Sequence, residues 1–65
     1  QVGKGTVVKD SVIMPGTVIG EDCHIEKAII GENAHIYNGV EIIGKTGEIA
    51  VVGNEDRVGG YKDEN

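Results

Sequence analysis

The feature that most constrains the fold is a series of aliphatic residues spaced five or six positions apart. The series comprises Val2, Val8, Ile13, Ile19, Ile25, Ile30, Ile36 and Ile42. Two positions before each member after the first stands a small or β-branched residue, namely Thr6, Ser11, Thr17, Cys23, Ala28, Ala34 and Val40. Residues two apart on a strand point to the same face. The pattern therefore predicts very short strands, each of which presents two side chains to a common interior.

A longer period combines these steps in threes. Shifting the chain by 17 residues places Val8 over Ile25 and Ile19 over Ile36. Apolar residues do not recur with helical spacing, and turn-prone residues come too often for ordinary hairpins. The two periods predict a three-sided solenoid whose parallel strands stack about 4.8 Å apart. The small residues belong near the corners, where two walls converge, which explains why the chain has no Phe or Trp.

Glycine often follows the aliphatic residue, as at Gly3, Gly20 and Gly31. We attribute these glycines to turns that require a positive φ. The register lapses at GKTGE, and the segment Glu48 to Val52 is predicted to supply a last strand. We expect an all-β parallel β-helix of about two and a half coils over residues 1–53. Residues 54–65 are expected to form a charged tail that is partly disordered or caps the last coil.

Composition excludes several functions. Eleven acidic against six basic residues give a net charge of -5, which disfavours binding to a phosphate backbone. The single cysteine cannot form an internal disulfide, and no apolar run has signal-peptide or transmembrane length. We expect a cytoplasmic protein with no nucleic-acid or membrane partner. A chain of 65 residues without large aromatic core residues has marginal stability, so we expect a piece of a longer protein.

One cysteine and two histidines stand in the related segments IGEDCHI and IGENAHI. A zinc site requires three or four converging ligands. The register instead turns Cys23 inward, places His24 on the outer face and sends His35 to a different side, so we expect no metal site. A second hypothesis makes either histidine the general base of an acyltransferase. Their strict register argues against that role, because such enzymes usually carry this histidine in an extended loop.

Other surface residues leave alternatives open. His24 should stack beside Glu41 and form a weak ion pair, worth at most about 1 kcal/mol. Tyr37 should point outward beside Val18 and His35, either as a subunit contact or as an ordinary surface residue. Four lysines, either part of an anionic effector site or simply solvated, are Lys4, Lys9, Lys27 and Lys45. The open strand edge of the first coil predicts self-association.

These hexads resemble the hexapeptide repeat of left-handed parallel β-helices. The left hand is implied by the resemblance alone, since the general rule for parallel crossovers favours the right hand. The segment from Val7 to Ile36, with SVIMPG at its centre, and IAVVG from Ile49 to Gly53 resemble the C-terminal β-helix of bacterial glucose-1-phosphate adenylyltransferase.

The resemblance implies a parent enzyme that makes ADP-glucose and pyrophosphate from ATP and glucose 1-phosphate, with Mg²⁺, in glycogen biosynthesis. Its chemistry would belong to an N-terminal catalytic domain. This chain has no G-x-G-x-x-G segment and no P-loop, so we expect it to contain no catalytic, cofactor-binding or metal-binding residue. Its implied role is oligomerisation and allosteric regulation, with the catalytic domain and further copies as partners. The alternatives are a hexapeptide acyltransferase and a purely structural β-helical module.

Overall fold

The computed structural model describes residues 1–60, which form nine short strands and no helix. The strands are β1 (Val7–Lys9), β2 (Val12–Ile13), β3 (Val18–Ile19), β4 (His24–Glu26), β5 (Ala28–Ile30), β6 (His35–Ile36), β7 (Glu41–Ile43), β8 (Ala50–Val52) and β9 (Arg57–Val58). Each has only two or three residues, because a turn follows every fifth or sixth position. Residues 1–60 include no helix with the length and apolar composition that a bilayer crossing requires.

The strands form three parallel sheets that make the walls of a triangular prism. Their orders are β1-β4-β7, β2-β5-β8 and β3-β6-β9, which we call sheets 1, 2 and 3. Nine strands on three walls give three coils, where the sequence predicted about two and a half. Before the first strand, Val2 forms a parallel bridge with Ile19 and so adds one more position to sheet 3. The predicted parallel β-helix is confirmed.

The predicted register of 17 residues holds between the first two coils and along sheet 1. Val8 pairs with Ile25, which pairs in turn with Ile42. The offset becomes 22 in the last coil, where Ile30 pairs with Val52. The five extra residues lie in a small hairpin between β7 and β8, where the backbones of Lys45 and Glu48 exchange hydrogen bonds of 2.8 and 2.9 Å.

The ladder continues past the predicted end of the repeat. The predicted end is Gly53, but β9 pairs with β6, and Val58 aligns with Ile36. The last predicted strand also begins two residues late, at Ala50 instead of Glu48, because Glu48 belongs to the hairpin. The sequence does not reveal the repeat here because the hairpin shifts the register by five and three charged residues precede Val58. The remainder of the predicted tail, residues 61–65, lies outside the described residues.

The core is driest in the middle coil. Three isoleucines of this coil, Ile25, Ile30 and Ile36, are 0% exposed. Ile19, at the end of the first coil, is 1% exposed because Val2 covers it on the side away from Ile36. The small positions Cys23, Ala28 and Ala34 are 1 to 2% exposed, which confirms that they face inward. Members of the series in the outer coils, such as Val8 and Ile42, are only partly buried. Each middle-coil residue is covered from above and below, whereas the end coils have a neighbour on one side only.

Hydroxyl groups join the first coil to the second at all three corners. Thr17 Oγ1 donates to Gly31 O at 2.6 Å and accepts from Ala34 N at 3.1 Å. Ser11 Oγ accepts from the corresponding N–H of Ala28, also at 3.1 Å. At the remaining corner, Thr6 Oγ1 likewise accepts from Cys23 N at 3.1 Å. The small residues thus do more than fit the corner, since they satisfy N–H groups that lie outside the strand ladders.

The predicted positive φ at the glycines after the aliphatic residues is wrong, because these glycines are required by lack of space. The positive φ angles occur two positions later, as at Asp22 with 59° and Asn33 with 56°. A β-carbon on Gly20 would lie 2.8 Å from the backbone nitrogen of Asn38 in the next coil. Real β-carbons essentially never approach this closely. Glycine at this position therefore permits the close stacking of successive turns.

Candidate functional surfaces

Cys23, His24 and His35 are not brought together. Cys23 is 2% exposed, and its thiol donates to the carbonyl oxygen of Tyr37 at 3.0 Å inside the prism. His24 lies on β4 in sheet 1, whereas His35 lies on β6 in sheet 3. Among residues 1–60, no group of three or more His, Cys, Asp and Glu side chains could hold a metal ion. The structure places all three residues where the register predicted.

His24 pairs with Glu26, not with the predicted Glu41. The expected cross-strand alignment of His24 with Glu41 is present. However, His24 Nε2 lies 3.2 Å from Glu26 Oε1, on the same face of the same strand. The ammonium group of Lys27 approaches the other carboxylate oxygen at 3.5 Å. Glu26 lies between His24 and Lys27 in the sequence, so both side chains reach its carboxylate. A register argument about neighbouring coils does not consider such contacts along one strand.

This cluster changes the pKa of one carboxylate, that of Glu26. The hydrogen bond from His24 lowers the pKa of Glu26 below its ordinary value, and the charges of Lys27 and Lys9 act in the same direction. Partial desolvation opposes them. Lys9 acts from β1, where it aligns with Glu26 in the strand ladder. The cluster is an exposed ion-pair network that holds Glu26 ionised.

The location of the histidines does not favour the acyltransferase hypothesis. A histidine beside a carboxylate is an arrangement that general bases use. Here, both histidines lie within strands that keep the repeat register. The loop that departs from the register, residues 44–49, contains no histidine. The structure thus offers a polar cluster on a wall of the prism instead of a base carried in an extended loop.

Tyr37 contributes to a polar hollow on the sheet 3 side. Its ring stacks on His35, with centroids 4.2 Å apart and an angle of 20° between the planes. The predicted contact with His35 is present, but Tyr37 is half-buried, because Gly60 packs so closely that a β-carbon there would overlap the ring. Together with Asn38, these residues line a hollow of about 470 Å³. An imidazole, a phenol and an amide here offer hydrogen-bond donors and acceptors to a polar ligand.

The lysines do not form one basic cluster. Lys4 lies in the turn before β1, whereas Lys9 ends β1 and Lys27 follows β4. Lys9 and Lys27 both act on Glu26, and Lys45 bridges to Glu48 through the backbone. Lys9, Lys27 and Lys45 therefore each lie close to an acidic residue. An effector site at the lysines stays a prediction.

Sequence reasoning missed an exposed apolar surface on sheet 2. Val12, Ile29 and Val51 align across β2, β5 and β8 and point away from the core. Their exposed fractions are 54%, 40% and 72%. We call these three residues the aliphatic face. The signal is present in the sequence, because the 17-residue shift that relates Ile13 to Ile30 also relates Val12 to Ile29.

A comparison with protein-family models finds one match that spans most of the chain. The model is described as "GlmU-like, C-terminal hexapeptide", and it matches residues 1–55. No curated protein matches the chain, and no solved structure matches it. The hexapeptide match, together with the three parallel sheets and the lack of a helix in residues 1–60, identifies the fold as a left-handed parallel β-helix.

Proposed function

Since the chain belongs to the GlmU-like C-terminal hexapeptide family, we propose that it is the β-helical domain of a glucose-1-phosphate adenylyltransferase. The family match itself supports a general description, a hexapeptide-repeat domain of the GlmU-like nucleotidyltransferase type. The particular enzyme is supported by the resemblance of residues 7–36, above all SVIMPG, to the β-helix of the adenylyltransferases. The parent enzyme would make ADP-glucose and pyrophosphate in the cytoplasm, for glycogen biosynthesis.

The observation that supports a structural role for this domain is that its side chains fill the prism and hold the coils together. The inward residues fill the prism, and the small residues link successive coils. The carboxylate of Glu26, whose pKa is lowered, takes part with His24 and Lys27 in an exposed ion-pair network on the wall of the prism. We assign ATP and Mg²⁺ to an N-terminal catalytic domain of the parent, and assembly and allosteric regulation to the β-helix.

The proposal predicts the nucleotide specificity of the full-length parent. Pyrophosphate release should require both ATP and glucose 1-phosphate, in the presence of Mg²⁺. The assay compares ATP, UTP and GTP at equal concentration, each with and without glucose 1-phosphate. A preference for UTP or GTP would contradict the adenylyltransferase assignment while leaving the family assignment intact.

The 65-residue chain gives the complementary control. It should release no pyrophosphate on its own. Isothermal calorimetry with acetyl-CoA tests the acyltransferase alternative, and we expect no heat of binding. Saturable heat that disappears in His24→Ala or His35→Ala would instead support an acyltransferase.

A further inference from the structure

Asn38 is the one asparagine of the chain that a glycine follows. The two residues form the exposed turn between β6 and β7. Asparagine is chemically labile, because its side-chain amide can be attacked by the backbone nitrogen of the next residue. Glycine hinders this attack least, since it has no β-carbon and moves most freely. The sequence of this turn therefore favours the spontaneous loss of a side-chain amide.

The chemistry of this loss is a cyclisation followed by hydrolysis. The nitrogen of Gly39 bonds to Cγ of Asn38, the bond from Cγ to Nδ2 breaks, and the proton of the Gly39 N–H leaves with the amide as ammonia. Water then opens the cyclic imide. Cleavage between Gly39 N and Cγ gives aspartate, whereas cleavage of the main-chain bond gives isoaspartate. The co-reactant is water, which reaches both residues because they are exposed.

The structure holds both reacting groups against the preceding coil. Oδ1 of Asn38 accepts a hydrogen bond from the backbone N–H of Glu21 at 2.8 Å. The N–H of Gly39 donates to the carbonyl oxygen of Glu21 at 2.9 Å. The same Oδ1 lies over Gly20, where a β-carbon would overlap it. Cyclisation draws Cγ of Asn38 towards Gly39 and removes the proton of the Gly39 N–H, so neither hydrogen bond survives it.

We propose that Asn38 is a site of spontaneous deamidation that the stacking of the coils protects. The reaction requires the turn to separate from Glu21, so its rate follows the population of molecules in which this corner is open. Isoaspartate adds a methylene group to the main chain at a turn whose N–H groups and carbonyls are aligned with the coil below. A brief opening of the corner thus becomes a permanent covalent change that weakens its stacking.

Asn54 provides an internal comparison. Its Oδ1 accepts from the N–H of Glu32 at 2.9 Å, in the same way as that of Asn38 accepts from Glu21. Asn54 is also exposed, but Glu55 follows it, and the side chain of Glu55 hinders the attack. The two asparagines therefore share one restraint and differ in the residue that supplies the nitrogen.

Another turn of the chain shows how one restraint can be removed alone. Pro15 precedes Gly16, whose φ is 78°, just as Glu21 precedes Asp22, whose φ is 59°. The carbonyl oxygen of Pro15 accepts from the next coil, from the N–H of Asn33 at 3.1 Å. Proline is therefore compatible with this position of the turn.

Glu21→Pro is the variant that follows from this comparison. It removes the N–H that serves Asn38 and keeps the carbonyl oxygen that accepts from Gly39. Glu32→Pro removes the corresponding N–H below Asn54 and is the matched control. Neither change lies next to Asn38 in the sequence, so all three chains should deamidate at the same rate when they are unfolded.

The experiment incubates the 65-residue chain at mildly alkaline pH, in buffer and in urea. Peptide mapping by mass spectrometry follows each asparagine, since deamidation adds about 1 Da and isoaspartate elutes separately from aspartate. In urea, Asn38 should react much faster than Asn54. In buffer, the reaction of Asn38 should be slower than in urea by about tenfold or more.

The variants test the assigned contact in the folded chain. Glu21→Pro should accelerate the reaction of Asn38 in buffer by about threefold or more, as expected for the loss of one hydrogen bond. Glu32→Pro should change it by less than about twofold. Circular dichroism checks that each chain is folded in buffer. The comparison between buffer and urea needs no variant, so it decides the proposal even if Glu21→Pro does not fold.

Three outcomes would overturn the proposal. The first is an Asn38 that stays intact in urea, which would mean that the turn is no modification site. The second is a folded chain that reacts as fast as the unfolded one, since the coils would then give no protection. The third is an equal acceleration by Glu21→Pro and Glu32→Pro, which would trace the protection to overall stability instead of the contact with Glu21. None of these results depends on the activity of the parent enzyme.

Discussion

Replacing Thr17 by valine tests the hydrogen bonds between the coils. Thr17 is 2% exposed, and its hydroxyl serves two backbone groups, the carbonyl oxygen of Gly31 and the N–H of Ala34. Valine has nearly the same shape but can neither donate nor accept. Both backbone groups would lose their partner in a site from which water is excluded.

The expected magnitude follows from these two contacts. Each buried backbone group left without a partner costs about 1–3 kcal/mol. The added methyl group of valine returns about 0.8 kcal/mol of burial. We therefore expect Thr17→Val to lower the free energy of unfolding by about 1–5 kcal/mol. For a chain of this size, 1 kcal/mol corresponds to a shift in melting temperature of about 4–8 °C.

Urea denaturation of the 65-residue chain at low micromolar concentration provides the measurement. Thr17→Ser is the matched control, because it keeps the hydroxyl and loses only a methyl group, which costs about 1 kcal/mol. Thr46→Val, in the exposed hairpin turn, should change stability by less than about 0.5 kcal/mol. The reasoning fails if Thr17→Val is as stable as Thr17→Ser, since the loss of both hydrogen bonds would then cost no more than the loss of one methyl group.

Two further predictions concern the backbone and the polar cluster. Gly20→Ala should cost more stability than Gly39→Ala in thermal denaturation, because a β-carbon on Gly20 collides with the next coil, whereas that on Gly39 meets open space and only its φ of 73° opposes it; the reverse order would refute the close-approach argument. The pKa of Glu26, followed by carbon NMR, should lie below its ordinary value of 4.5 and rise in His24→Ala but not in His35→Ala. Because folding lowers this pKa, Glu26 stabilises the fold above pH 4.5, and that contribution should be lost as the pH falls through the lowered pKa. An unchanged pKa in His24→Ala would contradict the assigned hydrogen bond.

The inward half of the structure was predictable because it obeys one physical rule. A wall of parallel strands places residues of successive coils in direct contact, so the spacing of Ile13, Ile19, Ile30 and Ile36 already fixed which residues align. Cys23 could be placed inside for the same reason. Interior volume permits few residue types near a corner, and this restriction leaves a clear trace in the sequence.

The features that depart from the repeat were harder to predict from the sequence, because they depend on local geometry. The hairpin adds five residues without changing which walls meet, so Val58 returns to the core at a spacing that the earlier coils do not show. The partner of His24 depends on side-chain reach along one strand, and the strand register does not report it. Glycine in a sequence can indicate either a positive φ or a close approach of another chain segment. At Gly20 the structure shows the close approach.

Exposed apolar residues occur on two surfaces of the molecule, the open end of the first coil and the aliphatic face. Val2 is 51% exposed although it belongs to the inward series, and Val8 and Ile13 are only partly buried. A further coil stacked on this end would cover them and extend the strand ladders, which stabilises each fully buried side chain by about 1.5–3 kcal/mol. The aliphatic face gains burial without any new backbone hydrogen bond. End-to-end stacking is directional and can continue indefinitely, whereas face-to-face contact closes on itself as a pair. A contact through sheet 2 would leave the end coils open, so the two contacts do not exclude each other.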